Sequence, residues 1–402
     1  MDNIEETIKN MEPEIVSTMI ELISKKSISP EAGGAGELER ATYLQKLLEQ
    51  IGVDKIVRAD TTDKFNVTRP NILAVLYGKD RARTIWIVAH MDTVPEGDIT
   101  LWSTDPFKGV FKDGKIYGRG SVDNGQAIIT ALFTLKTLKK LGITPKHNFG
   151  IMFVADEEVG SKYGIDYVLK NRKFSENDLF YVPDSGNSVG SELEIAEKSV
   201  LWLKIKVNGK QSHGSRPDLG LNANRIAMLL NSEIDKELHK KFAGIDSLFT
   251  PEYSTFEPTK REKNVDNINT VPGTDVSYYD CRILPIYSIS EVLKVFESKV
   301  NKYKKNYNTG IDLEIVMKSE APPPTQKDSE IVQNLLKVLK ETRNIDGKLI
   351  GIGGGTCAAF FRANGNQAVV WSTLDDVEHS PNEYCKVENL EKDLLVFIKL
   401  LL

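Results

Sequence analysis

The sequence predicts an α/β protein: a main domain built on a mixed, largely parallel sheet flanked by helices, with a smaller α+β sandwich inserted into it. Three observations carry this reading. The chain has 402 residues, beyond the length at which one hydrophobic core usually keeps growing. Apolar strand-like runs and helical patterns alternate through its first half, the order that builds a parallel sheet. After Glu197 the pattern becomes one of amphipathic strands and helices, until the run "APPPT" at 321–325 turns the chain back, since proline fixes φ and resists helix.

Taken in order, apolar residues recur at helical spacing from Ile15 to Lys25 and again in "GELERATYLQKLLEQIG", which stops at Gly52, so two helices open the chain. "NILAVLYG" and "TIWIVAHMD" are short β-rich runs separated by "KDRAR", a hairpin or neighbouring-strand signature. A long helical pattern from Gly125 to Leu141 precedes the strand "NFGIMFVA". In the insertion, "VLWLKIKVNG", "DVSYYDCRILP" and "IDLEIVM" read as strands, with helices from Asn222 to Leu238 and over "SEVLKVFESKVNKY". A helix from Ser329 to Thr342, the strand "AVVWS" and a helix from Val387 complete the main domain. The expected division is 1–198 with 321–402, and 199–320.

Composition narrows the function. A net charge of −5, with basic residues scattered among acids, lacks the basic excess of nucleic-acid binders. No apolar run approaches the ~18 residues of a membrane span, and the acidic start "MDNIEETIKNMEPEIV" has no cationic region followed by an apolar core. Three cysteines, Cys281, Cys357 and Cys385, lie far apart and are odd in number. The expectation is a protein of the reducing cytoplasm with neither nucleic-acid nor membrane partners.

The chemistry gathers in a few places. "IMFVADEEVGS" ends an apolar run in three consecutive carboxylates, Asp156, Glu157 and Glu158. Like charges crowded where a buried strand stops are expensive unless something pairs them, and a divalent cation removes the conflict. His90 ends the strand "TIWIVAH" with Asp92 two residues on, a spacing that suits a ligand and its orienting acid as well as a histidine capping a strand. His379, in "DDVEHSPNE", reads alone as a surface histidine. Asp123 reads alone as a helix N-cap, and Asp184 as a turn aspartate. His147 and His239, in Lys-rich surroundings, read as solvated. Together His90, Asp123, Glu158, Asp184 and His379 supply one bridging acid plus one histidine and one acid for each of two metals, with Glu157 spare to take a proton from water.

At these residues the chain resembles the co-catalytic zinc family of aminoacylases, glutamate carboxypeptidases, succinyl-diaminopimelate desuccinylases and peptidase V-like dipeptidases. The resemblance spans essentially the whole chain through "HMDTVPEGD", "WSTDPFKGVFKDGKIYGRGSVDN", "DEEVGSKYG", "PDSG", "SHGSRPDLGLNA", "NTVPG", "GIGGGTCAAF" and "EHSPNE", and is especially similar to the dipeptidase-like and archaeal branch between His90 and Gly164. It implies that His90 and Asp184 hold one zinc, Glu158 and His379 the other, and that Asp123 bridges, with Co2+ or Mn2+ as substitutes for Zn2+. It further implies that Asp92 orients His90 and that Glu157 is the general base acting on a metal-bridging water. The insertion would be a lid or dimerisation domain, so that a homodimer is an expected partner state. His213 would stabilise the oxyanion, Asn269 and Arg282 would bind the substrate carboxylate, and Gly354, Gly355 and Thr356 would meet the substrate. Two departures stand out: "DNGQ" places Gly125 where the family usually carries lysine, and "GGGTC" resembles the dipeptidase-like branch more than the Asp- or Ser-containing loop of many desuccinylases, which modestly favours a peptide substrate.

The implied reaction is amide hydrolysis of a small peptide, as by a dipeptidase or carboxypeptidase. An N-acyl amino acid deacylase such as a desuccinylase or acetylornithine deacetylase would use the same groups. A non-catalytic metal- or peptide-binding scaffold is the third reading, disfavoured because no candidate ligand or base is missing.

Overall fold

The computed structural model describes residues 2–402, and the chain divides into two compact units. One comprises the chain up to Ile195 with 324–350 and 356–402; the other comprises 196–323 with 351–355.

An eight-stranded sheet runs in the order Lys55–Arg58, Ile72–Leu76, His147–Val154, Asp80–His90, Leu179–Asn187, Gln367–Thr373, Glu192–Glu197, Lys348–Ile352, and all of it but the last two residues of each of the final two strands belongs to the first unit. Its four central strands, His147–Val154 to Gln367–Thr373, run parallel, and antiparallel strands flank them. The strand His147–Val154 is buried along its whole length, which is why its sequence is apolar without alternation: helices cover both faces. On one face Ala127–Lys140, with eleven of its residues buried, packs beneath Glu12–Ser24 and Val387–Leu401. On the other, Ile165–Asn171 and Cys357–Ala363 enclose an aromatic cluster in which Phe180 and Phe361 stack with centroids 3.9 Å apart and Phe174 meets both edge-on. Truncating Phe361 to alanine there would cost about 3–5 kcal/mol.

This topology corrects three local expectations. The runs at 71–78 and 84–92 are neither a hairpin nor neighbours, because His147–Val154 lies between them, antiparallel to one and parallel to the other. A strand that is apolar on both faces belongs inside the sheet and takes a partner on each edge. His147 is buried rather than solvated, its Nδ1 3.0 Å from Asp80 and its Nε2 3.1 Å from Arg83, because it begins that central strand. The chain also opens with three helices rather than two, since Asp2–Asn10 precedes Glu12–Ser24 and Leu38–Ile51.

The second unit has a four-stranded antiparallel sheet ordered Thr255–Arg261, Thr274–Ile283, Ser199–Asn208, Ile311–Ser319. Leu201, Leu203, Ile205 and Val207 alternate inward against the helices Ala223–Lys241 and Ile289–Tyr307. A capping box starts the latter, with Ser288 and Glu291 satisfying each other's backbone N–H groups. The strand Thr255–Arg261 escaped the sequence reading. It carries Pro258 and mostly exposed residues, which a sheet tolerates only at an edge, and its register slips between Pro258 and Lys260. Among the described residues no helix is long and apolar enough to cross a membrane.

Candidate active site

The C-terminal ends of the four parallel strands all deliver acids or histidines, as expected where a parallel sheet offers a crevice. His90 closes Asp80–His90, and Glu157 and Glu158 follow His147–Val154. Asp184 lies in Leu179–Asn187, and His379 follows Gln367–Thr373. Asp123 arrives from the segment preceding the helix Ala127–Lys140.

His90 is 2% exposed. Its Nδ1 donates to the backbone carbonyl of Asp92 at 3.1 Å, with the Asp92 carboxylate at 3.4 Å. That leaves Nε2 facing Asp123 at 2.8 Å and Asp184 at 3.4 Å. The buried Asp92 carboxylate also holds a second segment, because its two oxygens accept the backbone N–H groups of Glu157 and Glu158, each at 3.0 Å. One aspartate thus orients the histidine and grips the neighbouring loop.

The three consecutive carboxylates separate. Asp156 takes a left-handed φ of +71°, a conformation aspartate tolerates better than most residues, and its side chain turns inward. It lies 2.8 Å from the Arg69 guanidinium and accepts the N–H of Tyr163 at 2.9 Å. Arg69 is fully buried and also pairs with Glu37 at 2.7 Å and Asp63 at 3.3 Å. With Asp156 anchored, Glu157 and Glu158 project from a short 3-10 turn towards the histidines.

Asp123 is no N-cap. Its φ of −113° and ψ of 96°, with Asn124 after it also non-helical, interrupt the helical stretch, and regular helix begins only at Ala127. One carboxylate oxygen meets His90 and the other lies 3.0 Å from His379 Nε2. Asn124 donates to Asp184 at 2.5 Å and to the carbonyl of Pro183. A Cβ at Gly125 would lie 2.3 Å from the Gly120 carbonyl oxygen, so this backbone has no room for a lysine there. His379, about half exposed and at φ +59°, also contacts Glu158 at 3.1 Å.

Charge at this centre is strongly conflicted. Burial, then the Asp184 carboxylate, push Glu157 well above the usual carboxylate range, and burial pushes Glu158 up to about 7 despite His379. Asp123 and Glu158 raise His379 to about 10. Burial of His90 disfavours its charge, yet Asp184 and Asp123 raise it. Asp123 stays below the usual range because both imidazoles outweigh its burial. Acids pushed up and imidazoles raised beside them are what an uncompensated cluster of carboxylates produces, and a divalent cation would relieve the same conflict.

The donor set fits such an ion. His90, Asp123 and Glu158, and likewise His90, Glu157 and Asp184, each place three donor atoms within 4.8 Å of one another. The separations of 2.8–3.4 Å around the two histidines match the roughly 3.3 Å between donors on a tetrahedral ion with bonds of about 2.0 Å.

The remaining expected residues divide between the units. His213, exposed, has its Nδ1 2.8 Å from Ser215 Oγ, and Asn269 Oδ1 accepts from Asn267 at 2.9 Å. Arg282 pairs with Asp280 at 2.7 Å and donates to the Gly353 carbonyl at 2.8 Å. These belong to the second unit, as do Gly354 and Gly355; nothing within 4 Å of Gly354 would obstruct a side chain. Thr356 lies in the first unit and caps Cys357–Ala363, its Oγ1 accepting the N–H of Ala358. Sequence reasoning missed Arg69, Glu37, Arg119 and Glu383. The final acid of "EHSPNE" was the available signal for Glu383; no local pattern marked the others.

Residues 86–402 match Peptidase family M20/M25/M40. The chain is 44% identical over 421 residues to an uncharacterized metallohydrolase of Methanocaldococcus jannaschii, with 100% of both chains covered. It is 26% identical to a succinyl-diaminopimelate desuccinylase of Rickettsia bellii, covering 92% of each. Among solved structures, a tripeptidase of Staphylococcus aureus superposes with a TM-score of 0.79 at 16% identity, over 97% of each chain. The centre of two histidines and four carboxylates therefore stands in a member of Peptidase family M20/M25/M40, a metallohydrolase acting on amide or peptide C–N bonds.

Proposed function

We propose that the protein hydrolyses small peptides, as a dipeptidase or carboxypeptidase does, with two divalent cations. The carrying observation is the position of Asp123, whose two oxygens face His90 and His379 separately. This suits a carboxylate shared between two ions, one held with His90 and Asp184, the other with Glu158 and His379. Zinc suits the mixed imidazole and carboxylate donors, with Co2+ or Mn2+ as substitutes. Bound there, the ions would polarise the scissile carbonyl and lower the pKa of the attacking water.

Glu157 then acts as general base. It accepts a proton from the water whose oxygen bonds to the carbonyl carbon, and returns it to the nitrogen as the C–N bond breaks. Asp92 supports this by holding the N–H of Glu157 and by fixing the His90 ring. From the second unit, His213 would stabilise the developing oxyanion, Asn269 and Arg282 would take the substrate carboxylate, and Gly354, Gly355 and Thr356 would meet its backbone. That unit is assigned as lid or dimerisation domain; solution mass, and complementation between Glu157 and His213 variants, separate the two roles. The three cysteines are buried and unpaired, which suits a reducing cytoplasm.

A second reading, hydrolysis of N-acyl amino acids, is favoured by the 26% identity to a desuccinylase across 92% of the chain. The metal-stripped protein, restored with Zn2+, Co2+ or Mn2+ in turn, should release amine from a dipeptide panel faster than from N-acetyl and N-succinyl amino acids. The opposite ranking would establish the second reading, and no turnover of either set with ions bound would overturn both.

A further inference from the structure

We infer that Glu383, held by Arg119, is a positioning residue that fixes the backbone carrying Asp123 and ties it to the loop carrying His379. The inference rests on the proposed ligand roles of Asp123 and His379 and extends them to two residues that need touch neither ion nor substrate.

Glu383 is fully buried. Its Oε1 accepts the backbone N–H groups of Val122 at 2.9 Å and Asp123 at 3.2 Å. Its Oε2 accepts the N–H of Gly120 at 3.0 Å and the Arg119 guanidinium at 2.7 Å. Four donors use the acceptor sites that one ionised carboxylate offers. The N–H groups belong to the start of a helical stretch, where the helix itself provides no partners, and where Asp123 departs from helical geometry. The main chain joins in, with the N–H of Gly118 donating to the Glu383 carbonyl at 2.9 Å.

Arg119 supplies the second arm. It is 2% exposed, its guanidinium carbon lies 5.2 Å from the Trp102 ring centroid, and its Nη2 donates to the His379 carbonyl at 3.3 Å. His379 sits on no regular element, so this contact joins its loop directly to the Asp123 segment. The 3.0 Å approach of His379 Nε2 to Asp123 is thereby braced from both sides by one ion pair. A buried ion pair is weak evidence for stability, since apolar side chains of like volume often serve as well. An apolar pair could not present two oxygens to three N–H groups of one turn and a guanidinium fork to a carbonyl. Asp92 does the corresponding work for Glu157 and Glu158, so both acid-bearing loops are gripped through their backbones by a buried carboxylate.

Cobalt titration of the metal-stripped protein, followed by dialysis stoichiometry and visible absorption, tests this apart from turnover. Glu383→Gln keeps the shape but turns an amide NH2 towards donors. The weaker of the two Co2+ binding steps should fall roughly 10–100-fold with an altered absorption band, and the Co2+-loaded variant should lose kcat with KM nearly unchanged. Arg119→Lys keeps the charge beside Glu383 but loses the fork, and should weaken the same step less. If Glu383→Gln fails to fold, Arg119→Lys decides by the same reading. A lowered melting temperature with wild-type Co2+ affinity and spectrum would overturn the inference and leave a purely structural role. Wild type that takes up no Co2+ would overturn the ligand assignments themselves; wild type that takes up two ions, with both variants titrating identically, would overturn only the positioning role.

Discussion

The Arg69 guanidinium lies 2.8 Å from the Asp156 carboxylate with both side chains buried, immediately before the two glutamates assigned as base and ligand. Asp156 is the acid to which the sequence attached no role, and this pair supplies one. It takes one of three adjacent negative charges away from the centre and anchors the turn that presents the others.

Removing the cation should be worse than removing the acid. Arg69→Met leaves Glu37, Asp63 and Asp156 buried without their common partner, and breaking a buried ionic cluster in this way costs about 3–5 kcal/mol. Asp156→Asn still accepts the Tyr163 N–H and should lose less. Urea denaturation of the metal-free variants gives the order, and equal losses would contradict it.

Glu157→Gln removes the base and keeps the volume. Turnover should drop about 10²–10⁴-fold while metal content, measured by elemental analysis, stays at the wild-type value. Full activity in this variant would end the general-base assignment.

Gly125→Ala places a Cβ against the Gly120 carbonyl oxygen. Backbone cannot yield as a side chain tip does, so a loss of about 1–3 kcal/mol is expected, together with weaker uptake of Co2+ because the Asp123 segment must shift. An unchanged unfolding midpoint and unchanged uptake would show that the turn has slack.

Stability should carry a pH signature from Asp393, which is far in sequence from the acids of the centre. Its carboxylate is buried, accepts the Thr373 N–H at 2.9 Å and the Ser372 hydroxyl at 3.0 Å, and burial pushes it up to about 6. The unfolded chain holds this proton only below about 3.9. The folded state therefore binds the proton more tightly, so the charged form opposes folding above pH 6 and that opposition fades as pH falls through 6 towards 3.9. Between pH 7 and pH 5 the wild type should gain roughly 1 kcal/mol relative to Asp393→Asn. Denaturation midpoints at the two pH values measure the difference; a constant gap would refute it.

Arg282→Met should test the substrate-carboxylate assignment. Loss of a charge-assisted hydrogen bond of about 1.5–3 kcal/mol would raise KM roughly tenfold or more for substrates with a free carboxylate and little for their amides. Equal effects on both would remove Arg282 from that role.

Three of the sheet's four central strands, all but Leu179–Asn187, were legible because residues covered on both faces read as unbroken apolar runs, as in "IMFVA". Their neighbours were not, since pairing between Ile72–Leu76 and His147–Val154 leaves no local trace. Thr255–Arg261 was missed because an edge strand need not alternate or exclude proline. At the centre, His90, Glu157 and Glu158 stood out because they follow buried strands and because acids crowded at a strand end call for a counter-charge; Asp123, Asp184 and His379 each read alone as ordinary and joined them only through the count of donors two cations need and the family resemblance. Glu383 and Arg119 did not, because their work is to hold other residues' backbones.

By itself the sequence determined the candidate groups, through their types and the family resemblance, and that His90, Glu157 and Glu158 follow buried strands. Only the tertiary structure decided which acid faces inward and which N–H groups each carboxylate holds. Arg119 and Glu383 are 264 positions apart, and Asp156 and Arg69 come from separate strand connections. A hydrogen-bond partner is chosen by position and direction in space, and spacing along the chain carries that information only within a turn or two of helix or strand.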